Sequence, residues 1–173
     1  MRRRFALLVL TLVLLTMVSP LVLAQEGITV PANTYEYSFS EQIVFRLVAE
    51  SSSEISEITL TYRVGGEPVT NRAYPEFNPA QKVEAEYIWR LERGEIPPGS
   101  DIQYSWQIKD AAGNVLETEP ITFTYMDDRF TWQSLTEGKT ILYWYDADQT
   151  FAQRLLDSAG KSLARLEENV GVE

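Results

Sequence analysis

Carboxylates are the groups this sequence offers in quantity as acids, bases or cation ligands: 25 Asp and Glu stand against 15 Lys and Arg in 173 residues, with no histidine and no cysteine. Three acidic pairs and one Asp–Asn pair are the candidates along the chain. Asp127 and Asp128 are adjacent, the pattern that opens some calcium sites, but two neighbouring carboxylates supply far fewer than the roughly 6–8 oxygens calcium takes. A charged, solvated break between two segments accounts for them. Asp110 and Asn114 bracket Asp110-Ala111-Ala112-Gly113-Asn114, where a side-chain acceptor at the start and a glycine near the end describe a turn. Asp146 and Asp148 flank the start of a helical pattern, where negative charge is favoured by the unpaired N–H groups of the first turn. Glu167 and Glu168 belong to a solvated helix face. None of these pairs needs a catalytic explanation, and no Gly-rich phosphate loop or metal-spaced cluster accompanies them.

The missing residue types exclude more. Without histidine there is no Ser-His-Asp triad, no Cys-His pair and no His-ligated metal. Without cysteine there is no disulfide and no lipid-modified N-terminal thiol, so stability must come from a packed core, for which 12% aromatic residues provide material. A net charge of −10 repels phosphate backbones and anionic headgroups. No catalytic, metal or cofactor residue is expected in this chain, and no nucleic-acid partner.

The elements that carry these residues follow from the periodicity. Residues 1–24 have the layout of an export signal: Arg2, Arg3 and Arg4, an apolar run from Phe5 to Val18, a break at Ser19-Pro20, and Val22-Leu23-Ala24 before Gln25. Cleavage there would leave an even more acidic extracytoplasmic protein; retention would leave a membrane anchor, since Phe5 to Ala24 has about the ~20 residues that span a bilayer.

From Tyr35 onward apolar residues recur at every second position, the rhythm of strands with one buried face. Tyr35, Tyr37 and Phe39 precede Ile43, Phe45, Leu47 and Ala49. Ile58, Leu60, Tyr62 and Val64 oppose a wet face of Glu57, Thr59, Thr61 and Arg63, after which Gly65-Gly66 predicts a positive-φ hairpin returning toward Tyr74. Val83, Ala85, Tyr87, Trp89 and Leu91 form another strand. Pro97-Pro98-Gly99 predicts a type II turn, and Ile102, Tyr104, Trp106 and Ile108 the cleanest strand of all. A last one runs from about Val115 to Tyr125, with Pro120 at a bulge or edge. About seven strands at this spacing predict an all-β, immunoglobulin-like or fibronectin-type antiparallel sandwich over residues 25–126. Tyr35, Tyr37, Tyr62, Tyr87, Trp89, Tyr104 and Trp106 offer flat apolar rings suited to a sugar or peptide, but their inward phase places them in the core.

Residues 127–173 differ. Ile141-Leu142-Tyr143-Trp144-Tyr145 is apolar on both faces, the mark of a strand covered on both sides. From Asp148 to Val170 the period becomes helical, with Phe151, Leu155, Ala159, Leu163, Leu166 and Val170 on one stripe, Asp148 as N-cap and Gly171 as C-cap. A strand–helix stub of this kind is expected to dock on the sandwich or on a protein partner, or to be covered by a further domain.

The order of several motifs resembles the N-terminal region of bacterial extracytoplasmic proteins that carry a peptidase-MA-like, gluzincin-type zinc metallopeptidase domain. They are Ile58-Thr59-Leu60-Thr61-Tyr62-Arg63, Ile96-Pro97-Pro98-Gly99, Tyr104-Ser105-Trp106, Asp110-Ala111-Ala112-Gly113-Asn114 and Glu117-Thr118-Glu119-Pro120, followed by the stretch from Tyr125 to Trp132 and by Tyr143-Trp144-Tyr145. The resemblance implies that the strand and helix after the junction open a peptidase domain whose zinc-binding H-E-x-x-H lies further downstream. No zinc ligand or general base carries over to a position in this chain. The expectation is therefore a non-catalytic exported module, a spacer, docking or substrate-presenting unit of a metallopeptidase-type protein; the alternative is a stand-alone extracytoplasmic module that binds carbohydrate or protein.

Overall fold

The computed structural model describes residues 27–65 and 67–170. The predicted signal at residues 1–24 and the predicted C-cap at Gly171 lie outside the described residues. Among those described, no helix is long and apolar enough to cross a membrane.

The chain is an antiparallel β-sandwich followed by a hairpin and a helix. Its strands are β1 (Thr29–Ser38), β2 (Gln42–Val64), β3 (Asn71–Ala73), β4 (Ala80–Arg90), β5 (Ser100–Asp110), β6 (Val115–Glu117) and β7 (Ile121–Tyr125). The two runs expected as separate strands, around Phe45 and around Leu60, are one 23-residue strand, β2. Its first half pairs with β1 and β4, and its second half with β3 and β5. Both ladders shift register between Glu50 and Glu57, so the strand leaves one sheet and enters the other around Ser51–Glu54. The result is a three-stranded sheet, β1–β2–β4, facing a four-stranded one, β3–β2–β5, whose far edge is shared by β6 and β7.

Polar groups hold the crossing. Asp110, 1% exposed, accepts hydrogen bonds from Ser51 Oγ (2.7 Å), Asn114 N–H (2.9 Å) and Asn114 Nδ2 (2.9 Å). Ala111 N–H donates to Glu54 O at 2.8 Å. The β5–β6 turn expected from sequence, with Gly113 at φ 88°, is thus also the clamp on the strand that changes sheets. These bonds, first those from the Asn114 side chain, hold the Asp110 carboxyl below its ordinary range against the opposing effect of burial.

The core lies between the sheets. Ile43, Phe45, Leu47 and Ala49 from one half of β2 meet Ile58, Leu60 and Tyr62 from the other, with Ile102, Tyr104, Trp106 and Ile108 of β5 at the centre. Trp106 is fully buried and donates its indole N–H to Asn33 Oδ1 at 3.0 Å, tying β5 to β1 across the sandwich. Tyr62, Tyr104 and Trp106 are buried; Tyr37, Tyr87 and Trp89 are half-buried against them; Tyr35, at the margin, stacks on Phe123 at 3.8 Å. The ring of Tyr104 packs against Phe45, and burial pushes its phenol up to about 12.

The turns follow their residues, with one correction. Ser100 N–H reaches Pro97 O (3.3 Å) with Gly99 at φ 89°, the expected type II geometry. Pro120 divides the last strand into β6 and β7. Gly65, however, does not take positive φ. It extends the ladder, donating to Asp101 O at 2.6 Å, and a Cβ there would lie 3.2 Å from that oxygen. Glycine is needed for close approach, and Gly66 lies outside the described residues.

Two corrections concern the segment after Tyr125. The Asp127-Asp128 break is not a solvated linker: Asp127 is 4% exposed, and Arg129 grips both its carboxylate oxygens from Nε (2.7 Å) and Nη2 (2.6 Å). Trp132 Nε1–H donates to Asp127 O at 2.7 Å, and the Arg129 guanidinium lies 5.9 Å from the centre of the Phe39 ring. The strand through Ile141 to Trp144 is not left single: β8 (Gln133–Glu137) and β9 (Thr140–Trp144) form a hairpin, and α1 (Gln149–Val170) packs on it. Asp148 caps α1, accepting the Phe151 N–H at 2.8 Å. The helix buries Ala152 and Leu156, not the expected stripe; Phe151, Leu155, Leu163, Leu166 and Val170 remain exposed.

Two outcomes are expected. Trp106→Ala should lower the unfolding free energy in urea by about 3–5 kcal/mol, the cost of emptying a buried aromatic site; a loss below about 1 kcal/mol would show the core to lie elsewhere. The second concerns pH. A carboxyl whose folded pKa is depressed stabilises the fold above its unfolded value, ~3.9 for Asp, and that contribution disappears as pH falls through the folded value. Thermal midpoints should therefore drop between about pH 4 and pH 2. Asp110→Asn should lower the midpoint at pH 7 and shrink the difference between pH 7 and pH 2; an undiminished difference would mean that Asp110 contributes nothing to it.

Candidate functional site

The outward face of the four-stranded sheet is hollow along its length. Two contiguous depressions of about 210 and 310 Å³ share Thr61 and Ser105. Their shape follows from side-chain size on paired strands. Thr59 stands opposite Gln107, Thr61 opposite Ser105, and Arg63 opposite Gln103, so the β2–β5 seam carries short polar side chains at its middle. Longer ones rise on either side, Arg72 and Tyr74 on and just after β3 and Glu117 on β6, with Thr70 and Pro120 completing the lining. From Arg63 to Glu57 the trough follows six steps of strand, roughly 20 Å at 3.3 Å per residue. A separate hollow of about 540 Å³ is lined by Ser56 and the loop from Pro75 to Pro79.

The chemistry of the trough is that of neutral hydrogen bonding. Thr59 is only 8% exposed, yet its neighbours on the floor are Thr61, Ser105 and Gln107, not apolar residues. Among the described residues, the side chains of these four make no hydrogen bond to other protein groups, so their donors and acceptors face whatever fills the trough. Gln103 is already committed, accepting from Arg63 Nε (2.9 Å) and donating to Thr122 Oγ1 (3.3 Å). Tyr74 is 67% exposed on the rim, an aromatic ring not consumed by the core.

The sequence pattern puts Glu57, Thr59, Thr61 and Arg63 on the wet face of their strand and by itself assigns them no role. A run of short polar residues on two strands, with a tyrosine just after a third, was the available signal; that these strands are neighbours was not. The acidic pairs are not brought together into a site. Asp110 and Asn114 form a turn clamp, Asp127 pairs with Arg129, and Asp148 caps α1. Among the described residues no group of three or more His, Cys, Asp or Glu side chains is placed to hold a metal ion.

No protein-family model matches the chain, and no curated protein matches it. Solved structures align with parts of the chain. A bromide derivative of BhCBM56 aligns over 53% of this chain and 88% of its own, with 11% identity and a TM-score of 0.37. The β-1,3-glucan binding domain of carbohydrate-binding module family 56 aligns over 56% of this chain and 98% of its own, at 17% identity and a TM-score of 0.34. Catalytically inactive OgpA from Akkermansia muciniphila, in complex with an O-glycopeptide substrate, aligns over 70% of this chain but 31% of its own, at 9% identity and a TM-score of 0.43. At these values neither a family nor a ligand is assigned to the chain.

Proposed function

We propose that the sandwich is a non-catalytic, extracytoplasmic binding module, and that its ligand is a glycan chain lying along the trough of the four-stranded sheet. The observation that carries this reading is the floor of uncommitted hydroxyl and amide groups, Thr59, Thr61, Ser105 and Gln107, beside the exposed ring of Tyr74. A sugar presents hydroxyls around its edge and C–H groups on its ring faces. The floor matches the first and an aromatic ring the second. A peptide would call for apolar pockets for alternate side chains or a free strand edge to pair with; this trough is a sheet face without apolar pockets. Export rests on the signal-like residues 1–24.

A second reading is favoured by one observation, the exposed stripe Phe151, Leu155, Leu163, Leu166 and Val170 on α1. On this reading the β8–β9–α1 unit is the opening of a larger, metallopeptidase-type domain, and the sandwich is its accessory module, presenting substrate through the same trough. The two readings are compatible, since a module that holds a glycan also serves an enzyme acting nearby.

On a glycan array the chain should retain a defined set of oligosaccharides, and Tyr74→Ala should weaken the best of them at least tenfold in calorimetry while leaving the thermal midpoint within about 1 °C, because an exposed ring contributes little to folding. Retention of no glycan, or full affinity after the substitution, would remove the trough as the site. For the second reading, the coding sequence beyond codon 173 is expected to contain an H-E-x-x-H motif within the next domain; a following domain without one eliminates the metallopeptidase link.

A further inference from the structure

Resting on the glycan reading above, we propose that Arg72 makes the trough select sugars that carry a carboxylate, as uronate and sialate residues do. Arg72 stands on β3 directly opposite Thr61, which stands opposite Ser105 on β5. The three form a row across the trough, one guanidinium and two hydroxyls at strand spacings of about 4.8 Å. Arg63, the other arginine that lines the trough, is committed to Gln103; Arg90, Arg93, Arg154 and Arg165 carry no ion pair among the described residues, but they do not line the trough. Arg72 has no carboxylate within ion-pair distance and no hydrogen-bond partner among the described residues, although the chain carries 25 acidic side chains. Its planar fork of donors matches a carboxylate through two parallel bonds, a fit that lysine cannot reproduce.

The surroundings orient such a ligand. Glu57 and Glu117 line the same hollow as Arg72 and repel an anion. Glu117 lies on the far edge opposite Gln107, and Glu57 lies two same-face pairs along β2 from Thr61, so the row of Arg72, Thr61 and Ser105 is where a carboxylate fits, while the ring hydroxyls point toward Gln107 and Glu117, which accept from them. Tyr74 lies two residues beyond Arg72, where its ring can cover the apolar face of the next sugar. With a net charge of −10, the protein as a whole repels acidic glycans. Preference for one thus requires a local cation, and it depends less on salt than a long-range attraction would.

The test uses the whole exported chain and pairs of oligosaccharides that differ at one group: glycans bearing uronate or sialate, and the same glycans with that carboxyl reduced to the alcohol. The acidic member of the best pair is expected to bind at least tenfold tighter than its reduced counterpart. Arg72→Gln should bring the ratio of acid to alcohol affinity to about one, and Arg72→Lys should restore only part of it. Thermal melts identify any variant that has not folded. Equal binding of acid and alcohol by the unmodified chain, or a preference that survives Arg72→Gln, overturns the proposal. If the reduced glycans bind through Tyr74 without any acid preference, the trough remains a glycan site and only the role of Arg72 fails. If neither member of any pair binds, both fall.

Discussion

Strand β2 belongs to both sheets, and the rest of the molecule is arranged around that fact. Over 23 residues it supplies a neighbour for β1 and β4 and then one for β3 and β5. A strand can leave a sheet only where its backbone groups find other partners, because an unpaired buried N–H or C=O costs about as much as a lost hydrogen bond. Ser51–Glu54 is that place. There Ala111 N–H donates to Glu54 O, Gln81 Nε2 donates to Ser52 O, and Ser51 Oγ accepts from Ser53 N–H while donating to Asp110 at the end of β5. The two sheets are therefore joined by the chain itself and by a polar clamp at the crossing, in a protein that has no disulfide to do so.

Inside the sandwich, alternation does the remaining work. Every second residue of β2 and β5 points inward, and the large ones interlock: Phe45 against Tyr62 and Tyr104, Tyr35 and Tyr37 against Phe123 and Tyr125. Two hydroxyls at the rim of this cluster return to the backbone. Tyr125 Oη accepts from Ser40 N–H at 2.6 Å, at the one non-glycine residue of positive φ among those described, and Tyr37 Oη accepts from Met126 N–H at 3.3 Å. These bonds pin the β1–β2 turn and the exit of β7 at the same end of the sandwich. The outward residues of the same strands are left free to be short, and the trough results from that freedom.

The exit of β7 leads directly into the joint at Asp127. There a buried carboxylate, a guanidinium and the rings of Phe39, Phe130 and Trp132 form one cluster, with Tyr145 stacked on Phe130 at 4.1 Å. Gly99 reinforces it from the sandwich side: its positive φ and its approach to the Tyr143 ring, where a Cβ would lie 3.0 Å away, leave no room for a side chain. The chain that enters the hairpin is consequently tied to the sandwich by specific contacts, and α1 packs on the hairpin. The stripe left exposed on α1 reflects geometry: the two-stranded hairpin is narrow, and only Ala152 and Leu156, near the start of a 22-residue helix, are buried.

How much of this was legible depends on the range over which each feature is decided. The period-2 runs through Phe45, Leu60, Trp89 and Trp106, the turns at Gly99 and Gly113 and the cap at Asp148 are written within a few residues of themselves, since strand alternation, turn φ and capping are local properties of the backbone. Composition alone removed histidine and cysteine chemistry. The continuity of β2 was not legible, because a run of serines reads as a break whether the chain turns back or crosses to the other sheet. The burial of Asp127 depended on Arg129 folding back over it beneath Phe39, a residue 88 positions earlier. The trough depended on β3 lying beside β2, so that Arg72 and Tyr74 rise along one side of Thr59, Thr61 and Ser105. Which face of a strand is wet is settled by its own sequence. Whether that wet face is flat or hollow is settled by the side chains of strands that only tertiary pairing sets beside it.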